Sequence, residues 1–246
     1  MSSKSKEIDA FAKSTLGETP KVIGLLEILN EKSAEEQFRE NTSLYLGRTA
    51  TPRKVLALMA MSVSLANMQK DSAMLHYKLS KRFGAINEEI LDAIKISKMA
   101  SMSSTLSPLQ SMLPLISLYT KTSPDRKEVE QVLKNVADNA GLSKPPENII
   151  TLSKISFELL NEHLKEKAIL LTSQKLERKY VYMIALSVSI SLRDVDCANT
   201  YLEQFFKSGG TLPELEDAIA VTRFVSGNKV LTGGIDILTD MAANRE

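Results

Sequence analysis

The sequence predicts an all-α protein made by tandem duplication of one helical repeat. Three observations carry this prediction. The 246 residues include no Trp, only ten Gly and eight Pro, and many Leu, Ala, Lys and Met, a composition that favours helices. Apolar residues recur at helical spacing, without strand-like alternation. A shift of 125 residues also aligns the segment 53–113 with the segment 178–238 without a gap.

The duplication rests on sixteen identities among the sixty-one aligned pairs, about four times the number that random pairs would give. One of them pairs Gly84 with Gly209, each directly after a predicted helix. Upstream, Glu27-Ile-Leu-Asn-Glu matches Glu158-Leu-Leu-Asn-Glu at a shift of 131. This second match predicts a connecting loop that differs by six residues between the copies.

Caps, stops and apolar spacing predict the individual helices. Thr19-Pro20 and Thr51-Pro52 are typical of helix starts, and Gly84 is expected to take the left-handed conformation that commonly ends a helix. The predicted helices run over residues 1–17, from 20 to the charged residues around 31–40, from 52 past 65, and over 71–83, 87–104, 108–119, 124–140, 148–164, 177–192, 196–208, 212–228 and 230–243.

Lys144-Pro-Pro-Glu is a stiff, exposed break between the two copies. It leads to four predicted segments of the chain. They are an N-terminal extension over 1–18, a first repeat over 19–122, a linker with a helix over 123–146, and a second repeat over 147–246.

Charge and cysteine content exclude several classes of function. The net charge of +1, from 31 basic and 30 acidic residues, gives no basic surface for nucleic acid or an anionic membrane. One Cys excludes an intrachain disulfide framework and a cysteine-rich zinc site. The N-terminus leads into no apolar stretch, and the longest apolar run, 55–68, is shorter than the roughly 20 residues of a spanning helix. A cytoplasmic location is expected.

A second pattern of small residues, reactive positions and acidic helix starts occurs in both copies. Its elements are Met61-Ser-Val-Ser-Leu-Ala, His76, Gly84 and Glu88-Glu89-Ile90 in the first copy, and Leu186-Ser-Val-Ser-Ile, Gly209 and Glu214-Leu215 in the second. The pattern resembles the carboxymuconolactone decarboxylase and alkylhydroperoxidase AhpD family over roughly 20–118 and 148–242. The resemblance implies two AhpD-like repeats, and a homo-oligomer, because the family commonly builds rings from single repeats.

The family's helix bears Cys-x-x-Cys-x-x-x-His, and the chain departs from this motif at both cysteines. By the resemblance, the two redox cysteines would fall at Gln69 and Ser72 in the first copy and at Asp194 and Cys197 in the second. Two-cysteine peroxidase turnover needs a nucleophilic and a resolving thiol. Neither copy has such a pair, so this mechanism is not expected.

The family's histidine and glutamate are also incompletely kept. The histidine corresponds to His76 in the first copy and to Tyr201 in the second. The glutamate that serves the peroxidase proton relay would fall at Ala57 and Tyr182, so it is absent from both copies. Of the family's reactive residues, His76 is therefore the one candidate for acid–base chemistry.

His76 and Ser72 lie one helical turn apart, so their side chains can meet. Two interpretations stay open. The histidine could act as a general base or activate the Ser72 hydroxyl, or it could be an inherited packing residue with no carboxylate to orient its ring.

Cys197 and Tyr201 are the equivalent candidates of the second copy. A position near a helix start can lower the pKa of a thiol, whereas Asp194 and Asp196 oppose that shift. Cys197 is either a small core residue or a single peroxide-sensitive thiol.

Other polar groups give no further site. No His or Cys cluster joins the methionines, so neither a metal nor a cofactor is expected. The charged residues around His163 are typical of a solvated face, and His163 is expected to be exposed and without a role.

Two functions follow as hypotheses. The first is a diverged carboxymuconolactone decarboxylase or alkylhydroperoxidase-like protein that acts on a small organic substrate or hydroperoxide, with His76, Ser72, Cys197 and Tyr201 as candidate site residues. The second is a non-catalytic protein that binds a small-molecule ligand or serves as a scaffold.

Overall fold

Helices account for the regular secondary structure. The computed structural model describes residues 3–119 and 126–245, and within these ranges it contains no strand. The helices are α1 Ser3–Leu16, α2 Lys21–Leu29, α3 Glu31–Glu40, a π-helical segment Asn41–Leu46, α4 Arg53–Ala66, α5 Lys70–Arg82, α6 Asn87–Ser104, α7 Leu109–Tyr119, α8 Arg126–Ala140, α9 Glu147–Ile155, α10 Phe157–Leu170, α11 Arg178–Ser191, α12 Val195–Lys207, α13 Leu212–Gly233 and α14 Ile235–Ala243. The all-α prediction is confirmed. The predicted helix start at 124 and the boundary at 122–123 lie outside the described residues.

The helix predicted over 148–164 is wrong, because α9 and α10 are separated at Ser156. This residue has extended backbone angles, φ −156° and ψ 120°, and its hydroxyl accepts a hydrogen bond from the Leu159 N–H at 3.2 Å. Asn30 does the same between α2 and α3, accepting from the Ser33 N–H at 3.1 Å. Both residues are N-caps, whose side chains favour a helix start over continuation of the preceding helix.

These two breaks also correct the upstream match at a shift of 131. Asn30 and Ser156 are 126 residues apart, as are Pro20 and Pro146, which precede the nine-residue helices α2 and α9. Helices α2 and α9 therefore correspond at a shift of 126. The Glu27-Ile-Leu-Asn-Glu match at a shift of 131 therefore does not align corresponding helices.

The turns that flank α5 and α12 have the same geometry. Gly84 and Gly209 end these helices with φ values of 89° and 86°, which confirms the left-handed stop expected at Gly84. Before the same helices, Met68 and Arg193 have φ values of 60° and 61°, a conformation uncommon for residues other than glycine. Each pair is separated by the 125 residues of the predicted duplication.

Packing divides the chain differently from the predicted repeats. One unit combines the chain up to Ile86 with Leu212 onward, and the other comprises Asn87–Thr211. In the first unit, α4 packs against α5 and α13, and in the second, α11 packs against α12 and α6. Helices α6 and α13 have therefore changed places relative to the two predicted repeats. The boundaries 19–122 and 147–246 stay a prediction about the sequence and do not describe how the helices pack.

A buried aspartate fixes each exchanged helix to the loop that precedes the central helix of its unit. On α13, Asp217 accepts hydrogen bonds from Arg48 Nε at 2.6 Å and from the Thr51 N–H at 2.9 Å. On α6, Asp92 accepts a hydrogen bond from the Ser173 hydroxyl at 2.6 Å. These bonds have a charged acceptor, and such bonds are the stronger ones. Asp92 and Asp217, which are aligned with each other at the shift of 125 residues, thus have the same structural role.

Helices α4 and α11 form the centre of their units. Each buries ten consecutive residues, 55–64 in α4 and 180–189 in α11. Burial of one large aliphatic side chain stabilises a fold by roughly 1.5–3 kcal/mol. The two helices are therefore the main anchors of the two cores. No helix within the described ranges is both long and apolar enough to cross a membrane.

Candidate functional site

His76 forms a buried pair with Tyr45. The histidine lies on α5 and is 4% exposed, and the tyrosine lies on the π-helical segment and is 1% exposed. Their closest polar atoms, His76 Nδ1 and the Tyr45 hydroxyl, are 3.2 Å apart, within hydrogen-bond distance. The rings meet edge to face at a centroid distance of 5.2 Å.

Tyr45 also packs against Phe224 on α13. The two rings stack with centroids 5.9 Å apart and an interplanar angle of 28°. The histidine orientation is thus set by helices that are far apart in the sequence. Sequence reasoning missed Tyr45, because it lies outside the family motif, 31 residues before His76, and no local pattern marks it.

Burial keeps this pair uncharged. It lowers the pKa of His76 from its usual value near 6.5 to about 4, and it raises the pKa of the Tyr45 hydroxyl. At neutral pH the imidazole therefore has one N–H donor and one acceptor nitrogen. Nδ1 faces Tyr45, whereas Nε2 has no hydrogen-bond partner in the described part of the chain. Nε2 is the atom that a bound molecule can meet.

His76 and Tyr45 line a cavity of about 500 Å³ in the unit that contains α4. Apolar side chains supply much of its wall, and an exposed ion pair between Lys78 and Glu18 lies at its edge, with Nζ and Oε1 3.2 Å apart. The lining residues most relevant to a ligand are Val22, Ile23, Gln37, Tyr45, Ser72, Leu75, His76, Phe224, Leu231 and Ile235. A mostly apolar cavity with a few polar groups is typical of small-molecule sites.

Ser72 lines the same cavity but does not pair with His76. Its hydroxyl lies 2.9 Å from the Ser64 hydroxyl, which itself donates to the Ala60 carbonyl at 2.8 Å. Because Ser64 uses its only hydrogen on Ala60, Ser72 must be the donor to Ser64. The Ser72 proton therefore points away from His76, and the expected serine–histidine contact is not formed.

Cys197 is a buried, protonated thiol. It is 4% exposed, and the Asn148 amide donates to Sγ at 3.3 Å. Burial raises the pKa of the thiol first, and the hydrogen bond and charge of Asp194 raise it further. Cys197 lies at the start of α12, where its N–H donates to Asp194 Oδ1 at 3.2 Å. This position at a helix start does not offset the rise in the thiol pKa.

Tyr201 occupies the position of the second-copy histidine. It is 1% exposed, its hydroxyl has no hydrogen-bond partner within the described ranges, and burial raises its pKa. Lys167 lies over its ring, with Nζ 5.8 Å from the centroid. Tyr201 lines a second cavity, in the Asn87–Thr211 unit, whereas Cys197 is not among the residues that line it.

The expectation that His163 is exposed is wrong. It is 7% exposed, and it lies one turn after the buried Leu160 on the same face of α10. Burial, with a smaller effect from the Lys167 charge, lowers the pKa of His163 to about 4. In residues 3–119 and 126–245 no group of three or more His, Cys, Asp or Glu side chains could hold a metal ion.

Comparison with known proteins supports the fold. No protein-family model and no curated protein matches the chain. A solved structure from Burkholderia xenovorans LB400, described as "a putative gamma-carboxymuconolactone decarboxylase subunit", matches it with a TM-score of 0.82 and 14% sequence identity. The match covers 98% of this chain and 98% of that one. The chain therefore has the all-α fold of carboxymuconolactone decarboxylase-like and AhpD-like proteins.

Proposed function

We propose that the chain is a diverged carboxymuconolactone decarboxylase-like protein that acts on a small organic substrate at His76, without a two-cysteine redox cycle. One observation carries the proposal: His76 lines a cavity of about 500 Å³ and directs only Nδ1 to a protein partner. Nε2 is left for the substrate.

The role of His76 follows from its protonation state. In the tautomer that donates from Nδ1 to the Tyr45 oxygen, Nε2 carries the lone pair and accepts a proton from the substrate. The resulting imidazolium stays hydrogen-bonded to Tyr45 through its Nδ1–H. Because burial lowers the pKa of His76 to about 4, it is a weak base. It can therefore take a proton only from a group that is itself strongly acidic.

The hydroperoxide branch of the hypothesis has less support. The chain has a single Cys, and the raised pKa of Cys197 keeps it as a thiol, whereas the thiolate is the form that attacks a peroxide. The second candidate function is binding of a small ligand without catalysis. It is favoured by the absence of a carboxylate hydrogen-bonded to His76 in the described residues, since Tyr45 is the one hydrogen-bond partner.

A ligand panel of small lactones and keto acids tests these alternatives. Binding is followed by ¹⁵N NMR of the histidine rings and turnover by product formation, in the natural chain, His76→Gln and the matched control His163→Gln. His163 has a similarly lowered pKa but is not among the residues that line the first cavity. Turnover that is lost only in His76→Gln supports the proposal, and binding at the His76 ring without turnover supports the ligand-binding function.

Two results would contradict the assignment of the site. Turnover unchanged in His76→Gln would remove His76 from the mechanism. Consumption of tert-butyl hydroperoxide with dithiothreitol that disappears in Cys197→Ser would instead restore the thiol peroxidase hypothesis.

We further propose that the chain acts as a homo-oligomer, in the cytoplasm. Support for the homo-oligomer comes from α7 and α14, which bury none of their residues although their sequences are rich in apolar side chains. Leu115, Leu118 and Ile237 are 61%, 79% and 67% exposed. Exposed apolar patches of this kind commonly mark protein contacts. Light scattering on Leu118→Lys and on the control Ser117→Lys tests this, since an unchanged mass in Leu118→Lys would exclude α7 as the contact.

A further inference from the structure

The second cavity, in the Asn87–Thr211 unit, differs in charge from the cavity at His76. Its volume is about 820 Å³. Three basic side chains line it, Lys167, Arg178 and Lys207, and none of its described lining residues is acidic. The whole chain has nearly equal numbers of acidic and basic residues, whereas the charged residues described around this cavity are all basic.

Lys167 has no carboxylate partner in the part of the chain that the structure describes. Its Nζ lies over the ring of Tyr201, 5.8 Å from the centroid. Lys167 is half-buried, and this burial lowers its pKa because the charged form is less well solvated than in water. A half-buried ammonium group without a counter-charge is unfavourable, and an anion in the cavity would remove that penalty.

Arg178 is pre-oriented at the same cavity. Its Nη2 donates to the Tyr182 hydroxyl at 2.6 Å, and its guanidinium carbon lies 4.8 Å from the centroid of the same ring. Within the described ranges it also has no carboxylate partner. A guanidinium group has five N–H donors in a fixed plane, so further donors remain for a carboxylate or phosphate group.

Lys207 is not available in the same way. Its Nζ lies 2.6 Å from Glu203 Oε1 and also donates to the Gly141 carbonyl oxygen at 2.5 Å. The charge of Lys207 is therefore already balanced. Among the described residues that line the cavity, Lys167 and Arg178 are left as the two basic groups without a carboxylate partner.

We propose that this cavity binds a small anion through a carboxylate or phosphate group, which is held by Lys167 and Arg178. The proposal does not depend on the function assigned to His76, because it concerns other residues in the other unit. Tyr201, whose buried hydroxyl has no hydrogen-bond partner in the described residues, forms part of the wall. The large volume leaves room for the organic part of a carboxylate, beyond what inorganic phosphate needs.

Isothermal titration with succinate, benzoate and inorganic phosphate tests the proposal on the full chain. Lys167→Met keeps most of the apolar stem and removes the charge, and Arg178→Gln removes the guanidinium group. Lys165→Met is the matched control, because Lys165 lies on the same helix, pairs with Glu162 in solvent and does not line the cavity. We expect each cavity variant to weaken binding by at least about tenfold, and the control to leave it unchanged.

Two further comparisons make the result decisive. Succinamide, which is neutral and similar in shape to succinate, should bind far more weakly, and added salt should weaken the binding of succinate. Binding of succinate or benzoate but not phosphate would assign the site to organic acids, and the reverse to phosphate. The proposal is overturned if no anion binds, if succinamide binds equally well, or if Lys167→Met binds like the natural chain while circular dichroism shows both to be folded.

Discussion

The Nδ1 atom of His76 lies 3.2 Å from the hydroxyl oxygen of Tyr45, and Phe224 stacks on the tyrosine ring. The hydrogen bond sets which imidazole nitrogen faces the cavity, and the ring stack sets where the tyrosine stands. The pair is therefore a positioning device as well as part of the core.

Tyr45→Phe should separate these two roles. The phenylalanine ring keeps the stack on Phe224 but leaves Nδ1 without a partner, so we expect a loss of about 1 kcal/mol of unfolding free energy. We also expect a changed tautomer ratio of His76, seen by ¹⁵N NMR. Tyr77→Phe, on the helix α5 that carries His76, is the control, because Tyr77 is 37% exposed. Equal effects of the two substitutions would contradict a specific role for the Tyr45 hydroxyl.

Stability should fall as the pH drops from about 6.5 towards 4. Burial lowers the pKa values of His76 and His163 to about 4 in the folded chain, whereas in the unfolded chain both titrate near 6.5. Between these values the unfolded state binds more protons, so each histidine removes up to roughly 3 kcal/mol of stability. Denaturant unfolding at a series of pH values measures how the unfolding free energy changes with pH.

His76→Gln and His163→Gln should each remove about half of what the two histidines contribute to the dependence of the unfolding free energy on pH. The carboxylates of the chain also titrate at low pH, but they are unchanged in these variants. If neither variant altered the dependence between pH 4 and 6.5, the lowered pKa values would be wrong.

Asp217→Asn and Asp92→Asn should loosen different parts of the chain. Each substitution weakens charge-assisted hydrogen bonds from a buried helix to a loop, an effect of about 2 kcal/mol. We expect faster hydrogen exchange in 47–52 and α13 for Asp217→Asn, and in 172–177 and α6 for Asp92→Asn. Asp138→Asn, on an exposed side chain of α8, is the control. The opposite assignment, with Asp217→Asn loosening the loop before α11, would contradict the exchange of α6 and α13.

Cys197 should be unreactive in the folded chain. Its burial and raised pKa limit attack by Ellman's reagent to molecules that open locally, so labelling should be more than about tenfold slower than in denaturant. The rate should also not level off between pH 7 and 9. Fast labelling of the folded chain with a plateau in this range would instead show a low-pKa thiol.

Local sequence patterns predicted much of the fold because most helices carry their own signals. Gly84 illustrates this: a glycine after an apolar helix predicts a left-handed stop, and that stop is observed with φ 89°. Ser156 shows the limit, since a single N-cap serine inside a long apolar pattern ended one helix and started another.

The candidate site was harder to predict, because its partners are distant in the sequence. The family motif marked His76, but nothing local marked Tyr45 or indicated that α13 would supply Phe224. Lys167, one of the charged residues around His163, could not be placed from the sequence for the same reason. Among neighbouring charges it looks like part of a solvated face, and only the tertiary fold places it at a cavity.

The exchange of α6 and α13 has a consequence for how the chain is made. The unit Asn87–Thr211 is one continuous stretch, so it can fold as soon as that stretch has left the ribosome. The other unit must wait for α13 and α14, which supply Phe224, Leu231 and Ile235 to the His76 cavity. The His76 cavity is thus complete only after the C-terminal helices have been made, although its first lining residues are synthesised early. A nascent chain arrested near residue 211 would carry His76 without the lining residues of α13 and α14.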